Sequence, residues 1–146
     1  MHDIDEQIIA NLQRYDAPRT RNEMASELGV SPATVRRHVN KLMEAGILSV
    51  LVIVDPEKVG LPIAAIIGIN VEGKKLKAVT DMLKNRTDIT WLASSIGKFD
   101  IIALGRFSTI ESLRDIVQGQ LPEIDGITGT ETFLCMQELK NVRVTR

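Results

Sequence analysis

Ser31, Ala33, Thr34, Arg36, Arg37, His38, Asn40 and Lys41 fall within one short stretch of the chain, and their types suit contact with base edges and phosphates. On a wheel of about 100° per residue with Val35 at the origin, Val39 falls near 40°, Leu42 near 340° and Met43 near 80°. The opposite side, from about 140° to 260° on that wheel, carries Asn40, Ala33, Arg37, Lys41 and Thr34 in that order. An Arg can make two bonds to guanine, an Asn can pair with adenine, and a Lys can neutralise a phosphate. Arg36 and His38 lie on the flanks of this face, where the reach is to a nucleic-acid backbone. Most charged helix faces are merely solvated. Against that reading stand the capped helix and the Gly29-Val30 turn just upstream, which give residues 20–46 the layout of a helix-turn-helix.

A second set lies downstream. In Gly97-Lys98-Phe99-Asp100 a glycine lets backbone approach a ligand closely, exposed amides can hold a carboxylate, and Asp100 can face an ammonium group. The same four residues also read as a plain hairpin turn. Thr130 and Thr132 share one strand face, either to bond a ligand or as β-favouring surface residues. Cys135 and Met136 read as packing; Trp91, Phe99, Phe107 and Phe133 read as core rather than as a base-stacking platform. Lys74, Lys75 and Lys77 read as a solvated helix start. No Gly-rich phosphate loop, nucleophile motif or paired-carboxylate signature is present, and no cofactor is expected. One cysteine and two histidines, His2 and His38, leave no metal centre.

These residues need elements to hold them. Ile4, Ile8 and Leu12 recur at helical spacing, with Asp3 as N-cap. Thr20 and Glu23 form a capping box for a second helix, which Gly29 stops. Ser31-Pro32 opens the third helix, with Val35, Val39 and Leu42 inward, and Gly46 ends it. Ile47 to Val54 is β-branched and reads as a strand. Beyond it the chain reads as strand 63–71, helix 74–86, strands 89–96 and 99–107 around a tight Gly97-Lys98 turn, helix 109–121 with Ile110, Leu113, Val117 and Leu121 inward, and strand 127–139. The fold class is therefore α+β: a winged-type helix-turn-helix, residues 1–48, a linker strand and junction, 49–60, and a ferredoxin-like βαββαβ sandwich, 61–146.

The 146 residues are 44% hydrophobic and 25% charged, the balance of a folded domain rather than a disordered chain. The net charge is −1, and residues 1–50 hold six basic against seven acidic side chains. Any nucleic-acid contact must therefore come from a local cluster. No apolar run spans a bilayer and the first residues are acidic, so no membrane partner is expected and the cytoplasm is the expected location. Ile101, Ile102, Ala103 and Leu104 run without a polar break, yet the two crossover helices can cover only one face of the sheet. A second copy packed sheet to sheet is expected, with the 47–54 strands pairing across it.

Together the motifs resemble the Lrp/AsnC, or feast/famine, family of regulators. The resemblance rests on Ile4-Asp5 through Leu12-Gln13, Leu28-Gly29-Val30-Ser31, Gly46-Ile47-Leu48, Asp55-Pro56, Val59-Gly60-Leu61, Gly97-Lys98-Phe99-Asp100, Gly126-Ile127 and Thr130-Glu131-Thr132. It implies a sequence-specific transcriptional regulator that binds double-stranded DNA, assembles as homodimers and larger homo-oligomers, and senses a small effector, often an amino acid. Gly97–Asp100 and Thr130–Thr132 would then line the effector pocket at a subunit interface. The chain departs from the family's usual residues at His38, where Arg is common, at Met43, where Glu is common, and at Asp125, where Pro is common. Two other readings fit the architecture: a haem-pathway decarboxylase subunit, which residues 39–146 would have to run without a histidine, and a metabolite-binding protein whose helix-turn-helix has lost DNA binding.

Overall fold

In the computed structural model, residues 3–13, 20–50 and 52–139 are described. Their contacts divide the chain into two units, one up to Ile53 and one from Val54 to Leu139.

The first unit holds α1 (Asp3–Leu12), α2 (Arg21–Leu28) and α3 (Pro32–Glu44). Asp3 stands inside α1 rather than capping it, and its carboxylate accepts from the Gln7 amide at 3.0 Å. The other helix ends follow local chemistry. Thr20 and Glu23 close a reciprocal capping box. Gly29 takes the left-handed conformation, φ 65°, that a side chain disfavours. Ser31 Oγ accepts the Thr34 amide at 3.1 Å, with Pro32 at the first helical position. Ile8, Met24, Ala25, Val35, Val39 and Leu42 form the buried centre where the three helices meet.

Residues 47–50 and 52–54 form no strand. Ile47 and Leu48 instead turn their amides back onto the Leu42 carbonyl, at 2.9 and 3.1 Å, as the cap of α3. A β-branched run becomes a strand only beside a partner, and no strand of the described chain lies against it. Val50 and Val52 are left 75% and 92% exposed.

The second unit is a four-stranded antiparallel sheet in the order β2-β3-β1-β4. Its strands are β1 (Ile63–Val71), β2 (Ile89–Ser94), β3 (Ile101–Phe107) and β4 (Ile127–Leu134), with α4 (Leu76–Lys84) and α5 (Ile110–Arg114) as crossovers. Residues opposite one another in a ladder share a face. Ala65, Ile67, Ile69 and Val71 of β1 thus join Ile101, Ala103 and Phe107 of β3 beneath Val79, Leu83, Leu113, Ile116 and Leu121. The other face carries Ile66, Gly68, Trp91, Ile102, Leu104 and Phe133, and neither described helix of this unit, α4 or α5, packs on it.

Beyond β4, which ends at Leu134 rather than at 139, two elements differ from the periodic reading. The second crossover changes after Arg114 into a π-helical turn, Asp115–Gln120. The buried side of this crossover is Leu113, Ile116 and Leu121, whereas Ile110, in its first turn, is exposed. The expected tight turn at Gly97-Lys98 is instead a six-residue connection, Ser95 to Asp100. Asp100 bonds to β1, donating its amide to the Ile69 carbonyl at 3.1 Å and accepting the Val71 amide on Oδ2 at 2.7 Å. The Asp100 carbonyl also accepts the Ser95 amide at 2.9 Å, so Asp100 closes the connection at its base while anchoring it to β1.

Candidate functional site

α3 is placed by one buried stripe, Val35, Val39 and Leu42, and by its Ser31 cap. Ala33, Arg36, Arg37, Asn40 and Lys41 project into solvent and line a shallow concavity of about 590 Å³ together with Glu44. Among the described residues none of Arg36, Arg37, Asn40, Lys41 and Glu44 is engaged in a hydrogen bond or ion pair, so their polar groups remain available. Ser31 and Thr34 are otherwise occupied: their hydroxyls lie 2.9 Å apart and Thr34 is half-buried. Glu44, one position beyond the last residue placed on the wheel, Met43, falls at about 180°, the centre of the outer face.

His38 is the exception on α3. Rather than reaching outward to a backbone, it turns inward, with Nδ1 2.6 Å from Oδ1 of Asp5 on α1. The two side chains are 14% and 4% exposed. A carboxylate only accepts, so the ring carries a proton on Nδ1. The physical cause is Asp5, the buried charged residue of this unit, which requires donors where water is excluded. Its signal in the sequence was an acidic residue on the apolar side of α1, beside Ile4 and Ile8.

In the second unit the connection from Ser95 to Asp100 folds over the uncovered face of the sheet as a strap. The ring of Phe99 lies against Gly68, where a Cβ would come within 2.5 Å of it. Lys98 sits 5.0 Å from the centre of that ring and pairs with Glu131 of β4. Ser95 Oγ donates to the Phe99 carbonyl. Asp100 therefore spends one carboxylate oxygen on β1, a structural duty that its expected role toward an ammonium group did not include. Thr130 and Thr132 pair with Ile69 and Ile67 and face the helices, opposite to Lys98, Phe99 and Glu131. The expected effector residues thus meet at one end of β1 but on two faces of the sheet. Thr132 Oγ1 is buried with no hydrogen-bond partner among the described residues. Asp125 accepts from Lys75 Nζ at 2.7 Å, and this bond, with Glu72 beside it, raises the Lys75 pKa above its ordinary value.

Residues 1–49 match the family profile described as winged helix-turn-helix DNA-binding, and residues 64–145 match the Lrp/AsnC ligand-binding domain. The chain belongs to the Lrp/AsnC family. It is 31% identical over 141 residues to the transcriptional regulator LrpA of Pyrococcus horikoshii, covering 96% of this chain and 100% of that one. It is likewise 31% identical over 141 residues to the regulatory protein AsnC of Haemophilus influenzae, covering 94% of each. Among solved structures it resembles AsnC of E. coli, with a TM-score of 0.83 and 25% identity over 97% of this chain and 95% of that one. It also shares its fold with a Neisseria meningitidis regulator solved in complex with L-Met, with a TM-score of 0.86 and 19% identity over 97% and 93% of the two chains.

As an Lrp/AsnC protein the chain is a DNA-binding transcriptional regulator with a ligand-binding domain, on an α+β fold. The relatives named above are regulators rather than enzymes. No helix among the described residues is long and apolar enough to cross a membrane. Sequence reasoning gave no role to three residues that organise the two surfaces: Asp5, Glu44 and Gly68.

Proposed function

We infer that the protein is a sequence-specific regulator that works as a homodimer or larger homo-oligomer and responds to an amino-acid-like effector. α3 enters a major groove; Arg37 and Asn40 read bases, while Arg36 and Lys41 hold phosphates. The observation that carries this reading is the outer face of α3, where exposed Arg36, Arg37, Asn40 and Lys41 lie together with no partner inside the described chain. The assembly is supported by the uncovered sheet face, where Ile66, Trp91 and Phe133 are 39%, 48% and 48% exposed beside Ile102 and Leu104. Such a patch is characteristic of an interface. A two-fold pair would set two reading helices for half-sites one turn of DNA, or a multiple of it, apart. The effector reading draws on the ligand-binding profile and on the structural neighbour that holds L-Met. Its residues are the Gly97–Asp100 strap, with Thr130 and Thr132 contributing from the helix side.

The test is selection of genomic fragments by the purified protein, with and without a pool of amino acids, alongside light scattering. Enrichment of a shared two-fold site, altered by one or more amino acids, supports the reading. Binding with no sequence preference refutes its first part. A stable 16.2 kDa monomer that binds its site tightly refutes the second.

A further inference from the structure

The apolar stripe of α3 is Val35, Val39 and Leu42, and contacts of that kind are non-directional. They hold the helix down and resist rotation about its axis only through the fit of side chains. That rotation matters: a roll of ~20° sweeps a side-chain head at ~5 Å radius through about 2 Å. This is enough to break a two-bond contact to a base, whose distances tolerate a few tenths of an ångström. The exposed residues of α3 hold no partner that would resist such a roll. A directional bond at the border between stripe and outer face would resist it, and His38 stands at that border, flanked by Arg37 outside and Val39 inside. Its Nδ1–H bond to Asp5 crosses from α3 to α1, between residues 33 positions apart, and is short and largely shielded from water.

We propose that His38 is a positioning residue for DNA reading: bonded to Asp5, it sets the roll of α3 and does not itself touch phosphate. The assignment rests on the DNA-binding reading above, but its mechanical half can be measured without DNA. The full-length protein is compared with H38L, which keeps bulk and loses the donor, and with H38N. Asn places an N–H at the same number of bonds from the backbone as Nδ1 yet is too short to reach a phosphate. Two measurements are made on all three proteins: amide hydrogen exchange of peptides from α1 and α3, and affinity for selected genomic fragments over a salt series.

In H38L, exchange in α1 speeds up by about tenfold or more, the scale of one lost hydrogen bond to a charged group. H38N exchanges like wild type. Affinity falls several-fold in H38L and is restored in H38N, with the same dependence on salt in all three. Equal exchange in α1 for all three proteins overturns the proposal, whatever the DNA result. So does a salt slope flattened by about one phosphate contact in H38N, and that arm decides even where H38L fails to fold. Wild-type protein that selects no fragment refutes the proposed function, while the exchange arm still decides whether His38 holds α3.

Discussion

Gly68→Ala tests whether the strap is seated as described. The added Cβ would stand 2.5 to 2.6 Å from Cδ2, Cε2 and Cγ of Phe99. Ordinary carbon contacts lie near 3.5–4.0 Å, so the ring must retreat by about 1 Å. Its neighbours resist: Asp100 is bonded to β1 through both amide and carboxylate, and the Phe99 carbonyl accepts Ser95 Oγ. Overpacking of this kind costs about 1–3 kcal/mol, set against about 0.5–1 kcal/mol gained by replacing a strand glycine. The net expectation is a loss of about 1–2 kcal/mol in the second unit, read from urea unfolding followed through Trp91, the chain's single tryptophan, on β2. The double variant sharpens the test. In a Phe99→Ala background the ring is gone, and Gly68→Ala should become neutral or stabilising. The cycle then yields an interaction energy of about 1–3 kcal/mol. Additivity within about 0.5 kcal/mol, or an unchanged midpoint for Gly68→Ala alone, would show that Phe99 does not rest on β1.

Three further outcomes are expected. Thr132→Val removes a buried hydroxyl that lacks a partner and should raise the thermal midpoint, by about 1 kcal/mol in stability; calorimetry with amino acids on the same variant shows whether that hydroxyl serves a ligand, since unaltered binding would exclude it. Arg37→Ala should cost about 1–3 kcal/mol and relax preference at one base position, whereas Lys41→Ala should weaken all sequences alike and lower the salt slope by about one; competition binding against mismatched fragments separates the two, and an unchanged Arg37→Ala would move the reading face elsewhere. Trp91→Asp sets a charge on the uncovered sheet face, and light scattering should then report a smaller particle; retained assembly would place the interface on another surface.

What could be read from the sequence was what local chemistry decides. The Thr20–Glu23 box, the Ser31 cap, Gly29 and the alternation from Ile63 to Val71 each depend on neighbours within a few positions, and each is found where the residues place it. What escaped depends on distant partners. Asp5 and His38 meet only because α1 crosses α3, so His38 looked like an outward flank residue. The Ser95–Asp100 connection is shaped by bonds to Ile69 and Val71, which no turn motif encodes. Residues 47–50 and 52–54 carry strand propensity with no strand beside them among the described residues, and propensity alone makes no ladder. The effector residues were grouped by motif, but the pairing of Thr130 and Thr132 with Ile69 and Ile67 sends them to the far side of the sheet from Lys98 and Phe99.

The strand order also sets an order of birth. β1 lies between β3 and β4, so the sheet lacks an edge until β4 has left the ribosome. Among the described residues, the core of the three helices is made by side chains up to Leu48. About ninety residues separate the end of α3 from the end of β4, which at ordinary synthesis speeds is roughly 5–18 s. During that interval a nascent chain carries three closed helices and a sheet that still lacks its fourth strand. Folding of the first unit can thus run ahead of folding of the second by seconds.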